Sequence, residues 1–232
     1  KSIDFDTISI NLLKKGIFMN ISQKTFIGWS LAILPILMTA LWMYIWMGVG
    51  GGADDGSEAF LNNVAENATI NKLLISIAGL SFTFIVASYV MFSRGVGADS
   101  DNPFLGNLSA LLILISGTIN LFGANSFVSA LSYHGTEAAE ALTIFVAGTT
   151  DLGLMDIVFG IALIALGRAI RDAKNKLEPA ILLNIVSFGF LIAGIANIVN
   201  VFAMQDIVGM ISWFGWVIFS TLLGIAVIRS KS

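Results

Sequence analysis

Cysteine is absent from the 232 residues. That excludes disulfides, thiolate metal sites, iron–sulfur clusters and covalently attached haem. Histidine occurs once, as His134, so a bis-histidine haem or a multi-histidine metal centre cannot be built within this chain. Charge is scarce as well. Only 12% of residues are charged, against about a quarter in a soluble domain. The net charge is −3 and the few bases sit mainly where helices end, so nucleic-acid binding is not expected. No lysine lies deep inside a hydrophobic segment, which argues against a retinal Schiff base. Neither a phosphate loop of the Walker type nor a hydrolase nucleophile elbow occurs. With no catalytic constellation in view, neither enzymatic activity, a cofactor nor a bound metal is expected.

Apolar residues fill the space these leave. They make up 56% of the chain, and the mean hydropathy is +0.89. A bilayer-spanning helix needs roughly 20 consecutive apolar residues. Six segments qualify, at about 26–48, 70–93, 104–131, 152–170, 180–203 and 207–228. The expected fold is therefore all-α: a polytopic integral membrane protein with six transmembrane helices. Residues 19–232 then form one membrane domain, with the lipid bilayer as its first partner. Pro35 lies inside the first span, where it removes a backbone donor and kinks the helix.

The basic residues give an orientation. Lys24, Arg94, Arg168, Arg171, Lys174, Lys176, Arg229 and Lys231 fall on one side of a six-span arrangement. The opposite side carries Lys72 together with Asp54, Asp55, Glu58, Glu66, Glu137 and Glu140. The positive-inside rule then places both termini in the cytoplasm. Trp42, Tyr44 and Trp46 near the outer end of the first span fit an interfacial aromatic belt, and so does Tyr89 near the inner end of the second. The short loops and glycine-rich spans resemble those of prokaryotic six-helix membrane proteins, through no specific motif, and imply a multi-pass protein of the cytoplasmic membrane.

The chain begins with Lys1, and its first methionine is Met19. Back-translation of the residues before Met19 permits a ribosome-binding core at the usual spacing. Residues 1–18 thus read either as an untranslated leader or as a cytoplasmic arm with Ile3, Phe5, Ile8, Ile10 and Leu12 as its apolar side.

Spans three and five share a pattern. Pro103 precedes Gly117 and Asn120 in one; Pro179 precedes Gly194 and Asn197 in the other. The following spans carry Asp156-Ile-Val and Asp206-Ile-Val. Spans 3–4 and 5–6 are accordingly expected to be a parallel repeat of helical hairpins. Between them, about 136–147 reads as a short outer interfacial helix, with Thr136 as N-cap and acids in its first turn.

Polar side chains within the spans are few and gather toward one leaflet. That leaflet holds Asn120, Asn125, Asp151, Asp156, Asn197, Asn200 and Asp206, whereas the other has Asn107 and Asn184 but no acid. Two readings follow. In the first, small and polar helix faces such as Ser109, Ser116, Gly117 and Asn120, or Asn184, Ser187, Gly194 and Asn197, are packing seams. The chain is then a structural or accessory subunit that assembles with other membrane subunits or with itself. In the second, the Asp/Asn group is the outer-leaflet entrance of a small transporter or channel for a cation or small polar solute, since charges at membrane depth are costly and mark functional sites. His134 is expected to be solvated rather than a ligand.

Overall fold

The computed structural model describes residues 21–51, 56–100, 102–150, 152–173, 177–203 and 206–230. The arm or leader at 1–18 and Asp151 lie outside them. Among the described residues the chain is helical, without strands. The elements are α1 (Ile21–Met43), extended by a π-helical segment (Tyr44–Val49), α2 (Gly56–Ala65), α3 (Ala68–Asp99), α4 (Pro103–Tyr133), α5 (Ala138–Thr150), α6 (Leu152–Ala173), α7 (Ala180–Ala203) and α8 (Asp206–Arg229). Six stretches are long and apolar enough to cross a bilayer: Gln23–Val49, Ala68–Asp99, Pro103–Tyr133, Ala138–Ala173, Ala180–Ala203 and Ile207–Arg229. Their outward faces carry large apolar side chains, with Ile181 80% and Phe202 76% exposed. Such faces suit lipid rather than water.

The long helices form a closed ring. α1 packs on α3, α3 on α4, α4 on α6, α6 on α7, α7 on α8, and α8 returns to α1. Small residues set how closely they approach. A Cβ added to Gly160 would lie 2.6 Å from the Gly194 carbonyl oxygen, and one added to Gly194 would lie 2.5 Å from that of Gly160. At the ring closure, a Cβ on Gly224 would lie 2.6 Å from the Gly28 carbonyl oxygen. Only glycine allows backbones this near, which is how membrane helices gain packing energy without a hydrophobic driving force. The seams predicted from sequence are used inside the chain: Ser109, Ser116, Gly117, Ser187, Gly194 and Asn197 are all buried.

One end of the ring carries a cap. The helix over Gly56–Ala65 was not expected, although Phe60, Leu61 and Val64 give it an apolar stripe at helical spacing. These three side chains are buried against Ile45, Ile75, Phe127, Leu131, Ala141 and Phe145. Phe60 is the hub: its ring centroid lies 4.3 Å from that of Trp46, 5.8 Å from that of Phe127 and 5.6 Å from that of Phe145. Polar ties reinforce the cap. Asn71 Nδ2 donates to the Val64 carbonyl at 2.7 Å, and His134 Nε2 pairs with Asn62 Oδ1 at 2.7 Å. His134 thus joins the α4–α5 turn to α2.

The segment expected as an interfacial helix is α5, and it packs along α4. Gly148 sits against Ser126, Asn120 bonds to Met155, and Ser109 Oγ donates to the Ala162 carbonyl at 3.0 Å. These pairings keep one antiparallel register, so α5 and α6 together form the return arm of α4. Trp42 and Trp46 also differ from the belt reading. They stack on Phe127 and Phe60, because the cap offers them aromatic partners, while Tyr44 is half exposed; Tyr89, expected at the inner interface, is instead fully buried among the helices, where Ser220 partners its hydroxyl.

Candidate functional site

The half of the ring away from the cap is packed around a buried tyrosine. Tyr89 of α3 is fully buried there, its hydroxyl bonded to that of Ser220 on α8 and its ring against Phe190 of α7, 5.9 Å between centroids. Leu163, Leu166, Ala169 and Ile170 of α6 fill the space beside it. Ser93 and Ser109 hydroxyls, 3.4 Å apart, close the polar connections between α3, α4 and α6.

The cap half is hollow. A cavity of about 690 Å³ lies between the helices, with residues from α1, the π-helical segment and α3 to α8 around it. Its deep side is formed by Phe82, Phe159 and Trp216, the last two in edge-to-face contact at 6.0 Å. Toward the cap it meets Trp46, Phe127, Gly148 and Thr149. The π-helical segment supplies Trp46 and Met47; such segments often occur at functional sites, since the widened turn re-aims side chains.

Asn120, Asp156, Asn197 and Asn200 all line this cavity. α4 contributes Asn120, whose amide donates to the Met155 sulfur at 3.4 Å. α6 places Asp156 just after Met155, half-buried on the cavity wall. α7 contributes the other two. Asn197 is 3% exposed and its Nδ2 donates to the Ala193 carbonyl at 2.9 Å, one turn back on its own helix. Asn200 is half-buried and lies against Gly209 of α8, whose missing side chain makes room for the amide.

Of the remaining sequence candidates, Asn125 is the one whose side chain is described. Asn125 is exposed and does not line the cavity. Asp151 lies outside the described residues. Asp206 begins α8, and nothing is described of its side chain.

Sequence reasoning missed the apolar part of the wall: Met38, Met43, Met47, Met155 and Met210, with Trp42, Trp46, Trp213 and Trp216. The signal was available. Trp42 and Trp46 are four residues apart and Trp213 and Trp216 three apart, so each pair shares one helix face. Among the described residues no group of three or more His, Cys, Asp or Glu side chains is placed to hold a metal ion. Comparison of the chain with protein-family models, with curated proteins and with solved structures finds no match.

Proposed function

We propose that this chain is a multi-pass membrane protein whose cap-end cavity takes up a cation or small polar solute, as the binding vestibule of a small transporter. The observation that carries the reading is the cavity itself. Six polar side chains from five helices, one of them an acid, line a common space large enough for a small molecule, since ligand pockets are typically about 300–1,000 Å³. A ring filled below that space by Tyr89 and Phe190 fits a vestibule closed toward the other side rather than an open pore.

The accessory-subunit reading draws less support, because the small-residue faces that suggested it lie inside the ring. Both termini in the cytoplasm, a prokaryotic cytoplasmic membrane and a parallel repeat of the α4–α6 and α7–α8 hairpins complete the proposal. The charge sorting of the loops supports the orientation. The placing of Asn120 and Asn197 on one cavity from α4 and α7 supports the repeat.

The test is thermal unfolding of the purified protein in mild detergent across a panel of cations and small polar solutes. A bound ligand raises the melting temperature only through its affinity for the folded state. At least one panel member should stabilise the wild type, and Asp156→Asn should lose that shift. A uniform absence of shifts would count against the vestibule.

A further inference from the structure

We infer that the solute is a monovalent organic cation with an apolar body, such as an aromatic or alkyl ammonium, its charge at Asp156 and its body against the tryptophans. This rests on the vestibule reading above and narrows it. Asp156 is the one ionisable side chain among the described residues of the wall, with no Lys, Arg or His beside it. A carboxylate in a largely apolar cavity either takes up a proton or is met by a counter-charge, and among the described residues the protein supplies no such charge, so a bound cation is what would keep it ionised. The rest of the wall decides which cation suits it. A hard inorganic ion asks for about six oxygen ligands close around it. The described polar side chains of the wall are the carboxylate, three amides and the hydroxyls of Thr149 and Ser212, and they are spread over five helices, α4 to α8.

What the wall has in quantity is aromatic and thioether surface. Four of the five tryptophans line it; the fifth, Trp29, is exposed elsewhere. Indole faces attract organic cations through their quadrupole, and such rings with an acid are a recurring recognition site for ammonium groups. Met38 and Met155 add a polarizable, adaptable lining. The wall also includes Met47 and Met210, which are 70% and 53% exposed. The cavity is therefore open to the exterior beside the π-helical segment and α8. Amphipathic cations concentrate at the headgroup boundary, so they would reach this opening from the membrane.

Equilibrium dialysis of the full chain in mild non-ionic detergent tests the inference. The probes are tetraphenylphosphonium and its neutral analogue triphenylphosphine oxide, with sodium and potassium as competitors. Wild type and Asp156→Glu should bind tetraphenylphosphonium saturably, near one per chain. Asp156→Asn should weaken it by about tenfold or more, as expected for loss of the opposite charge beside the cation. Trp213→Leu, which stays apolar but lacks the indole, should weaken it several-fold by removing a ring face. Matched elution and helicity of the variants exclude misfolding. Equal saturable binding of both probes, unchanged in Asp156→Asn, would overturn the charge assignment and leave the vestibule standing. Sodium or potassium binding lost in Asp156→Asn, with no phosphonium binding, would overturn the organic-cation assignment in favour of an inorganic ion. No saturable binding of any probe would overturn both.

Discussion

The side-chain amide of Asn120 on α4 donates to the thioether sulfur of Met155 on α6 at 3.4 Å. The bond crosses the wall of the cavity one residue before Asp156, and it couples the position of the acid to α4. Interhelical hydrogen bonds in membranes average about 0.6 kcal/mol, so Asn120→Ala should cost little stability. Its larger effect should fall on ligand-dependent stabilisation, measured as the melting shift relative to wild type.

The seam between α6 and α7 should be intolerant of volume. Gly160→Ala or Gly194→Ala puts a methyl group within 2.6 Å of the facing backbone oxygen. Overpacking of this kind costs about 1–3 kcal/mol. Thermal unfolding in detergent should show it clearly. Gly135→Ala, in a turn with open space around it, should leave the melting temperature unchanged.

The cap should depend on Phe60. Its ring touches three aromatic partners and is 2% exposed. Phe→Ala changes in cores cost about 3–5 kcal/mol. Phe60→Ala should therefore loosen α2 and α5 from the ring, read as faster proteolytic cleavage in the Gly51–Gly56 and His134–Glu137 connections. Cleavage at the wild-type rate would show that the aromatic cluster does not hold the cap.

Topology follows from the charge sorting and can be checked without purification. Reporter fusions after Gly52 and Gly135 should behave as external, and fusions after Asp99, Asn175 and Ser232 as cytoplasmic. A cytoplasmic signal from the Gly135 fusion would reverse the orientation or require α4 and α6 to be reassigned.

Much of the architecture was legible because bilayer physics leaves few options. Continuous apolar runs of spanning length are hard to mistake, and the six long helices fall where such runs lie. Asn120, Asp156, Asn197 and Asn200 stood out for the same reason, as polar groups where polarity is costly. What stayed hidden depended on which neighbour each face meets. Trp42 and Trp46 sit where an interfacial belt would put them, and only the presence of Phe60 and Phe127 turns them inward. The segment around α5 has the length of an interfacial helix; its packing on α4 depends on Gly148 accepting Ser126 at close range. α2 is short and flanked by acids, so its three apolar residues gave a weak signal until the cap supplied their partners.

The central claim is that Asn120, Asp156, Asn197 and Asn200 surround a space that solutes reach. The absence of native cysteine makes the measurement clean, since a single introduced thiol is the only reactive one. Asn200→Cys, on the cavity wall, should react with a polar, membrane-impermeant thiol reagent added from the cap side, and a bound organic cation should slow that reaction. Ser109→Cys, fully buried between α4 and α6 in the half of the ring away from the cap, should not react in the native protein and should react once it is unfolded. Labelling of Asn200→Cys with cation protection, beside a silent Ser109→Cys, is the result this account predicts. An Asn200→Cys thiol as unreactive in the native protein as Ser109→Cys would contradict it.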